Sequence, residues 1–382
     1  MIKSFSATTR EIDDAQAAVT EITAALNLEK KLLKNSLGII SCFSEFEETG
    51  VLQAICEALP FNCIGSTTCL CAAGKDIDQI MLVITVLTSN DCDFQTIAIP
   101  VAEKFEDSIK SAVSELMGKY EEKPALFLSY FPLMNTLSGD MILAEVNRAA
   151  DGIPLFGTMA IDNKKEYSTA KTIYNGKAYR EAVVLCAIYG NPKFTFQIAS
   201  LDESKIRKQK AVITESNGNI LIGVNGKTVL EYLEEIGLTR MDIASGQGIV
   251  PFVVDHNDGT KPVTRAVFAL TPEGHAVCGG AMPVGATLAI GGVNLEDVIY
   301  TTEKALKPLV EKESVVLSYS CMARYFALSA NFTAEAEKVR EIAGDSQYLF
   351  ACSGGEICPL PDVNGKLRNF FHNYTNVFCK LS

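Results

Sequence analysis

The sequence predicts an α/β fold of mixed, largely antiparallel sheets with helices packed on their outer faces, in two domains. Three observations predict it. Short apolar runs of strand length alternate with longer stretches of helical periodicity. Successive strand candidates are joined by short polar turns, which a purely parallel sheet does not allow. An order of strand, helix, short strand, glycine turn and hairpin recurs along the chain, a two-copy repeat of residues 32–100 and 120–200 that returns in part near the end.

The 382 residues are 48% hydrophobic, enough for two cores of ordinary size. A charged fraction of 21% and a mean hydropathy of +0.16 argue for a compact chain. The net charge of −12 argues against a general nucleic-acid surface and against an anionic membrane partner, because both ask for a basic face. The densest basic run is Lys205, Arg207, Lys208 and Lys210, interrupted by Glu203. It reads as a solvated linker at 201–210, between a domain at 1–200 and another at 211–382.

Twelve cysteines sit in apolar settings such as those of Cys42, Cys186, Cys278 and Cys379, where cysteine behaves as a small hydrophobe. No CxxC spacing occurs, so neither a metal nor a cofactor is expected. The N-terminus lacks the apolar core of a secretory signal. The run Ile80–Leu87 is far too short for a bilayer, which takes ~20 residues. A cytoplasmic chain with free thiols is the expectation.

Each element has its own signal. Ile12, Ala15, Val19, Ile22 and Leu26 share one helical face. Residues 37–43 form a buried strand, 49–59 a helix, and Phe61–Ile64 a short strand before Gly65-Ser66-Thr67. Ile80–Leu87 and Phe94–Ile99 read as a hairpin across Ser89-Asn90-Asp91. A helix over 102–117 buries Phe105, Ile109, Val113 and Leu116. The pattern then returns. Ala125–Phe131 is a strand, Ser138 caps a helix to Ala150, and Ile153–Phe156 leads to Gly157-Thr158. Ala182–Tyr189 and Phe194–Ala199 read as a second hairpin. On this alignment Ile40-Ser41-Cys42-Phe43 matches Leu128-Ser129-Tyr130-Phe131.

The second domain opens with small strands, then Thr228 and Glu231 in capping-box spacing before Val229–Ile236. Residues 241–262 read as loop, followed by strands at Arg265–Leu270, His275–Cys278 and Thr287–Ile290, and a helix capped by Asn294. Val315–Ser320 repeats the earlier strand, Thr333 starts a helix, and Tyr348–Ala351 ends in Cys352-Ser353-Gly354-Gly355-Glu356. That last turn adds a carboxylate, and Phe371-His372-Asn373-Tyr374-Thr375 adds an imidazole and an amide close by.

Two readings stand for each group. The turns holding Ser66, Thr67, Thr158, Ser353 and Gly355 either shape the sheet or admit a ligand to their hydroxyls and amides. None has nucleotide-loop spacing. Cys321 and Arg324 follow a buried strand. They are either a structural pair or a nucleophile beside a cation, and His372 and Glu356 would complete a Cys-His-Glu set. His372 either holds a ligand or fixes the Gly355-Glu356 turn. His256 and His275 have no partner motif.

These residues carry a resemblance. Pro262-Val263-Thr264-Arg265-Ala266, the run 279–290, and Leu317 to Arg324 come first. Gly355-Glu356-Ile357-Cys358-Pro359 and Phe371-His372-Asn373-Tyr374-Thr375 follow. In this order the set resembles the C-terminal half of FIST proteins. The N-terminal half, with its Ile-Gly-Ser-Thr turn, is similar to the FIST N domain, and the likeness spans about residues 32–379. It implies a sensory input module that binds small ligands such as amino acids. Many relatives are fused to kinases, chemoreceptors or other output domains; this chain leaves no room for one, so the expectation is a stand-alone sensor or one that acts through a separate kinase, chemoreceptor or other output protein. Family turns often carry an aromatic-Thr-Tyr-Gly-Glu run where this chain has Cys352-Ser353-Gly354-Gly355-Glu356.

The sequence therefore points to a small-molecule sensor, a binding module more than an enzyme. Arg324 would grip a ligand carboxylate and Glu356 an ammonium group. Ser66, Thr67, Thr158, Cys321, Ser353, Gly355, His372 and Asn373 would complete the site. A hydrolase or transferase using Cys321 and His372 is the alternative.

Overall fold

The computed structural model describes residues 1–102, 105–134, 137–164, 167–239 and 250–382. Three six-stranded sheets share one plan. Each is built on a parallel pair: Asn35–Cys42 with Asn62–Thr67, Leu126–Phe131 with Leu155–Met159, and Val315–Cys321 with Gln347–Ser353. A parallel pair needs a crossover, and helices supply it on the outer face. A long antiparallel strand flanks each first member: Leu82–Ser89, Ala182–Tyr189 and Asn376–Leu381. The sheets are thus mixed and helix-flanked, as the sequence predicts.

The sheets exchange their borders. The hairpin Cys71–Ala73 and Asp76–Asp78 extends the third sheet. Thr172–Tyr174 with Lys177–Tyr179 extends the first, and Glu356–Pro361 with Leu367–His372 the second. The opposite borders cross over as well. Asp93–Pro100 pairs with Ala182–Tyr189, and Phe194–Ala199 with Asn376–Leu381. The two long hairpins expected over 80–99 and 182–199 therefore do not form. Alternation fixes which face of a strand is buried, but not which edge it joins. The turns at 89–92 and 190–192 instead meet each other. Gly190 sits at φ +91°, and a Cβ there would lie 2.5 Å from the Asp91 carbonyl oxygen, so the two turns pack on each other.

The inner faces of all three sheets share one core. Ile39 and Ile64 come from the first, Leu128 and Phe156 from the second, Leu317 and Leu349 from the third. Each outer face has its own helical cover. Ala15–Leu26 and Val51–Glu57 lie on the first sheet, Phe105–Met117 and Gly139–Ala150 on the second, Leu295–Leu306 and Ala334–Ala343 on the third. Local chemistry starts these helices. Asp14 accepts from the amides of Gln16 and Ala17 at 3.0 Å, and Asn294 and Asp297 form a reciprocal capping box. The N-terminal strand Ile2–Thr9, which sequence reading passes over, borders the first sheet.

An eight-stranded sheet spanning residues 210–290 is inserted ahead of helix Leu295–Leu306. Ile213, Leu221, Phe252 and Leu288 fill its separate core. Of the stretch 241–262 read as loop, 241–249 lie outside the described residues and Phe252–Asp255 is a strand. Buried Arg265 ties the insert to the rest. Its guanidinium donates to the Phe371 carbonyl at 2.8 Å and pairs with Asp140 at 3.3 Å.

Two details of the repeated turns differ from the reading of their sequence. Neither Gly65 nor Gly157 has a positive φ. Glycine is needed there because the neighbouring strand comes too close: a Cβ would lie 1.8 Å from the Ile40 oxygen and 1.7 Å from the Ser129 oxygen. Ile40 faces Gly65 as Ser129 faces Gly157, so the true counterpart of Ser41 is Tyr130. A one-residue slip turns every side chain to the other face. Ser41 points to the shared core, while Ser129 points outward and donates to the Phe156 carbonyl.

Candidate functional site

One register row in each sheet ends the shared core with polar groups. Across the first sheet it reads Val83, Ser41, Ser66, Thr172. Across the second it reads Val184, Tyr130, Thr158, Glu356, His372. Across the third it reads Val377, Tyr319, Ala351, Cys71. The row two residues earlier along the parallel strands is apolar, with Ile39, Leu128 and Leu317. The chain thus places a polar layer on an apolar core, where the repeated turns begin.

Most groups in this layer satisfy one another. The hydroxyls of Tyr130 and Tyr319 share a hydrogen bond of 2.8 Å. Thr158 donates to Ser353 at 2.7 Å, and Ser353 to the Gly355 carbonyl at 2.7 Å. Thr67 accepts from the Lys171 amide at 2.9 Å. Five buried side-chain atoms among the described residues have no partner, and two of them, Glu356 Oε1 and the Tyr374 hydroxyl, belong to side chains that both neighbour Cys321. A buried polar atom left alone costs about 1–3 kcal/mol, so two in one neighbourhood ask for a reason.

Glu356 is the centre of that neighbourhood. Its side chain is fully buried, and Oε2 accepts from Thr375 Oγ1 at 2.7 Å. Burial pushes its carboxyl up to about 8, against the opposing pull of the Thr375 hydrogen bond. Cys321 lies against it. Burial pushes that thiol well above its ordinary range, and the neighbouring carboxylate adds to the effect. Tyr374 completes the wall at φ +57°, a left-handed conformation that is an outlier for so bulky a residue. Strain of this kind persists only where surroundings over-determine it, and it clusters at binding sites.

A recess of about 420 Å³ opens next to this layer, lined by Cys69, Asn163, Lys164, Tyr167, Met322, Tyr325 and Phe326. These residues follow strands of all three sheets: Asn62–Thr67, Leu155–Met159 and Val315–Cys321. Met322 is the neighbour of Cys321, and the Tyr167 hydroxyl is close enough to Cys321 to be pushed up by it, after burial. Cys321 is therefore a neighbour both of Glu356 and of residues that line the recess.

The structure gives other duties to several expected site residues. Arg324 is not free for a ligand carboxylate. It is buried and paired with Glu335 at 2.8 Å, and it also donates to Thr302 at 2.8 Å and to the Val298 carbonyl at 3.0 Å. His372 donates from Nε2 to the Cys358 carbonyl at 2.9 Å, and burial lowers it to about 4, so it is neutral near pH 7. Asn373 accepts from the Ala266 amide and anchors the insert. Gly355 sits under the Phe371 ring, which a Cβ would strike at 2.1 Å. The residues that sequence reading missed are Ser41, Tyr130, Tyr319, Glu335, Tyr374 and Thr375. The row that joins Ser41 to the two tyrosines needs the register, which the sequence does not carry.

The Cys321–His372 pair does not form: no hydrogen bond joins them among the described residues, and each has other neighbours. The thiol is shielded and its proton is held tightly. Iodoacetamide at pH 7 is expected to label Cys321 at least tenfold more slowly than a free thiol in a peptide, as mass spectrometry of the native protein would show. Rapid labelling would restore the nucleophile reading.

Comparison with known proteins bears on this site. The FIST N domain profile matches residues 36–227, and the FIST C domain profile matches residues 228–359. The chain belongs to the FIST family. FIST domains are sensory modules of signal transduction that bind small ligands. No curated protein matches this FIST chain. A crystal structure of cyanuric acid hydrolase from A. caulinodans covers 100% of this chain and 99% of its own, at 8% identity and a TM-score of 0.40. So distant a likeness carries nothing about activity. Among the described residues, no helix of this FIST protein is long and apolar enough to cross a membrane.

Proposed function

We propose that this FIST protein is a cytoplasmic sensor of a small amine-bearing metabolite, an amino acid or a close relative. The ligand enters by the recess and places its ammonium group on Glu356. One observation carries the reading: the Glu356 carboxyl is fully buried, has among the described residues only the neutral Thr375, Ser353 and Cys321 side chains against it and no cation, leaves Oε1 without a well-formed hydrogen bond, and is kept protonated by burial. An ammonium group supplies both the missing hydrogen bond and the missing charge. With Arg324 committed to Glu335, the ligand carboxylate is left toward the rim. Lys164 stands there, in a half-exposed pair with Glu45 at 2.8 Å. Such surface pairs are worth little, so the lysine can change partners.

The path to Glu356 runs past Met322 and Cys321, at the junction of a core strand and a short helix. Occupancy therefore shifts that junction, and the Cys321 amide is bonded to the Thr375 carbonyl at 2.9 Å, beside the turn that holds the insert. A ligand that favours one arrangement of these parts biases the equilibrium between two, which is what a sensor needs. A separate output protein, such as a kinase or chemoreceptor, would read the change.

Calorimetry against amino acids and amines tests the reading, and its pH dependence is specific. Free Glu356 is protonated below about 8. An ammonium ligand must ionise it and release a proton. Affinity is then expected to rise towards pH 8, by up to about tenfold per pH unit, and to level off above it. Glu356→Gln should abolish both the binding and the slope. Binding that weakens through pH 8, or that survives Glu356→Gln intact, would overturn the assignment.

A further inference from the structure

We propose that the recess selects ligands with an aromatic or large apolar side chain over small and polar ones. The inference rests on the amine-sensor reading above. The lower wall is made of sulfur and hydrocarbon. Cys69 Sγ lies 3.4 Å from Met322 Sδ, and Tyr167, Tyr325 and Phe326 stand around them. Sulfur is polarisable and a poor hydrogen-bond partner, suited to an aromatic ring or a branched chain. The polar lining residues Asn163 and Lys164 come from the loop after Leu155–Met159, and Lys164 is already needed for the carboxylate end.

The aromatic wall is held in place before any ligand arrives. The Tyr325 ring meets Phe326 edge-on at 6.0 Å and Phe332 at 5.6 Å. Its hydroxyl accepts from Gln79 Nε2 at 2.8 Å. A braced wall loses little freedom on binding, which favours affinity for a shape that fits it. A hydroxyl or carboxylate side chain laid against the Cys69, Met322 and Phe326 side of the recess would lose water there without a strong hydrogen-bond partner on that side. Buried whole, a leucine or phenylalanine side chain gains roughly ten- to a hundredfold in affinity over alanine. Phe326, Tyr325 and Met322 are thus the selecting residues, and Gln79 is a positioning residue that acts through Tyr325.

The experiment is calorimetry on the full chain at pH 8 with phenylalanine, leucine, alanine, serine and aspartate. Wild type, Phe326→Ala and Phe326→Leu are compared. Phenylalanine or leucine is expected to bind at least tenfold tighter than alanine, serine or aspartate. Phe326→Ala should erase most of that difference, and Phe326→Leu should restore part of it. Alanine, serine or aspartate binding as tightly as phenylalanine would overturn the selection and leave the amine sensor standing. So would a preference untouched by Phe326→Ala in a variant with native circular dichroism. If none of the five binds wild type, the amine reading fails and the selection falls with it. Should Phe326→Ala not fold, the ranking of the five ligands on wild type decides.

Discussion

Arg324→Met is expected to destabilise the protein by about 3–5 kcal/mol, a loss set by the charge it leaves behind. Glu335 is buried and its carboxylate is densely bonded. Oε1 accepts from Thr302 at 2.5 Å, from Asn376 at 3.0 Å and from Arg324 Nη2 at 2.8 Å, while Oε2 accepts from Ser320 at 2.6 Å. Burial works to raise this carboxyl, but Arg324 and the hydrogen bonds win and hold it below its ordinary range. Without the guanidinium, burial is unopposed by any cation in contact. The double variant Arg324→Met, Glu335→Leu removes both charges and is expected to recover much of the loss, because isosteric apolar pairs often match buried ion pairs. Urea denaturation at pH 7 measures all three proteins. If Arg324→Met unfolds at the wild-type midpoint, the pair is not internal and the guanidinium is free for a ligand. The sign with pH follows from the depressed carboxyl. Its stabilisation is present above the unfolded value of about 4.5 and fades as the pH falls through the folded one.

That ion pair also shows what the sequence can and cannot reveal. Strands and helices of the core are visible because their apolar periods are strong. Gly65 and Gly157 mark real constrictions, although the crowding strand, and not a positive φ, is what requires them. The exchange of hairpins among sheets is invisible, since a strand with one buried face serves any edge equally well. Arg324 looks like a free cation in the sequence because its partner lies on another helix, Ala334–Ala343, whose first turn carries two acidic residues, Glu335 and Glu337. Only packing decides that Glu335 is the one turned inward. Tyr374 is hidden for a different reason. Nothing in Phe-His-Asn-Tyr-Thr announces that its tyrosine, not its asparagine, takes the left-handed conformation. The sequence singles out Glu356 as a carboxylate among polar turn residues, but its full burial without a cation beside it shows only in the packing.

That isolation sets the second large effect. Glu356→Gln is expected to match wild-type stability near pH 5 and to exceed it by roughly 3–5 kcal/mol at pH 8. The folded carboxyl titrates at about 8 and the unfolded one at about 4.5. Between these values the unfolded chain has lost its proton while the folded chain still holds it. Stability must then fall as pH rises, by about 1.4 kcal/mol per unit, until the folded group ionises too. Glutamine keeps the shape and a hydrogen-bonding head without the proton to lose. His372 pulls the other way. Burial lowers it from 6.5 to about 4, so its contribution rises with pH across that interval and masks the slope of Glu356 in wild type alone. The difference between wild type and variant cancels His372 and isolates the carboxyl. Denaturation curves at intervals from pH 5 to 9 would give it, and a difference that stays flat would mean that Glu356 ionises like an exposed glutamate. A rising difference means that the folded protein keeps this buried carboxyl protonated up to about pH 8, at a cost in stability that grows as the unfolded chain ionises.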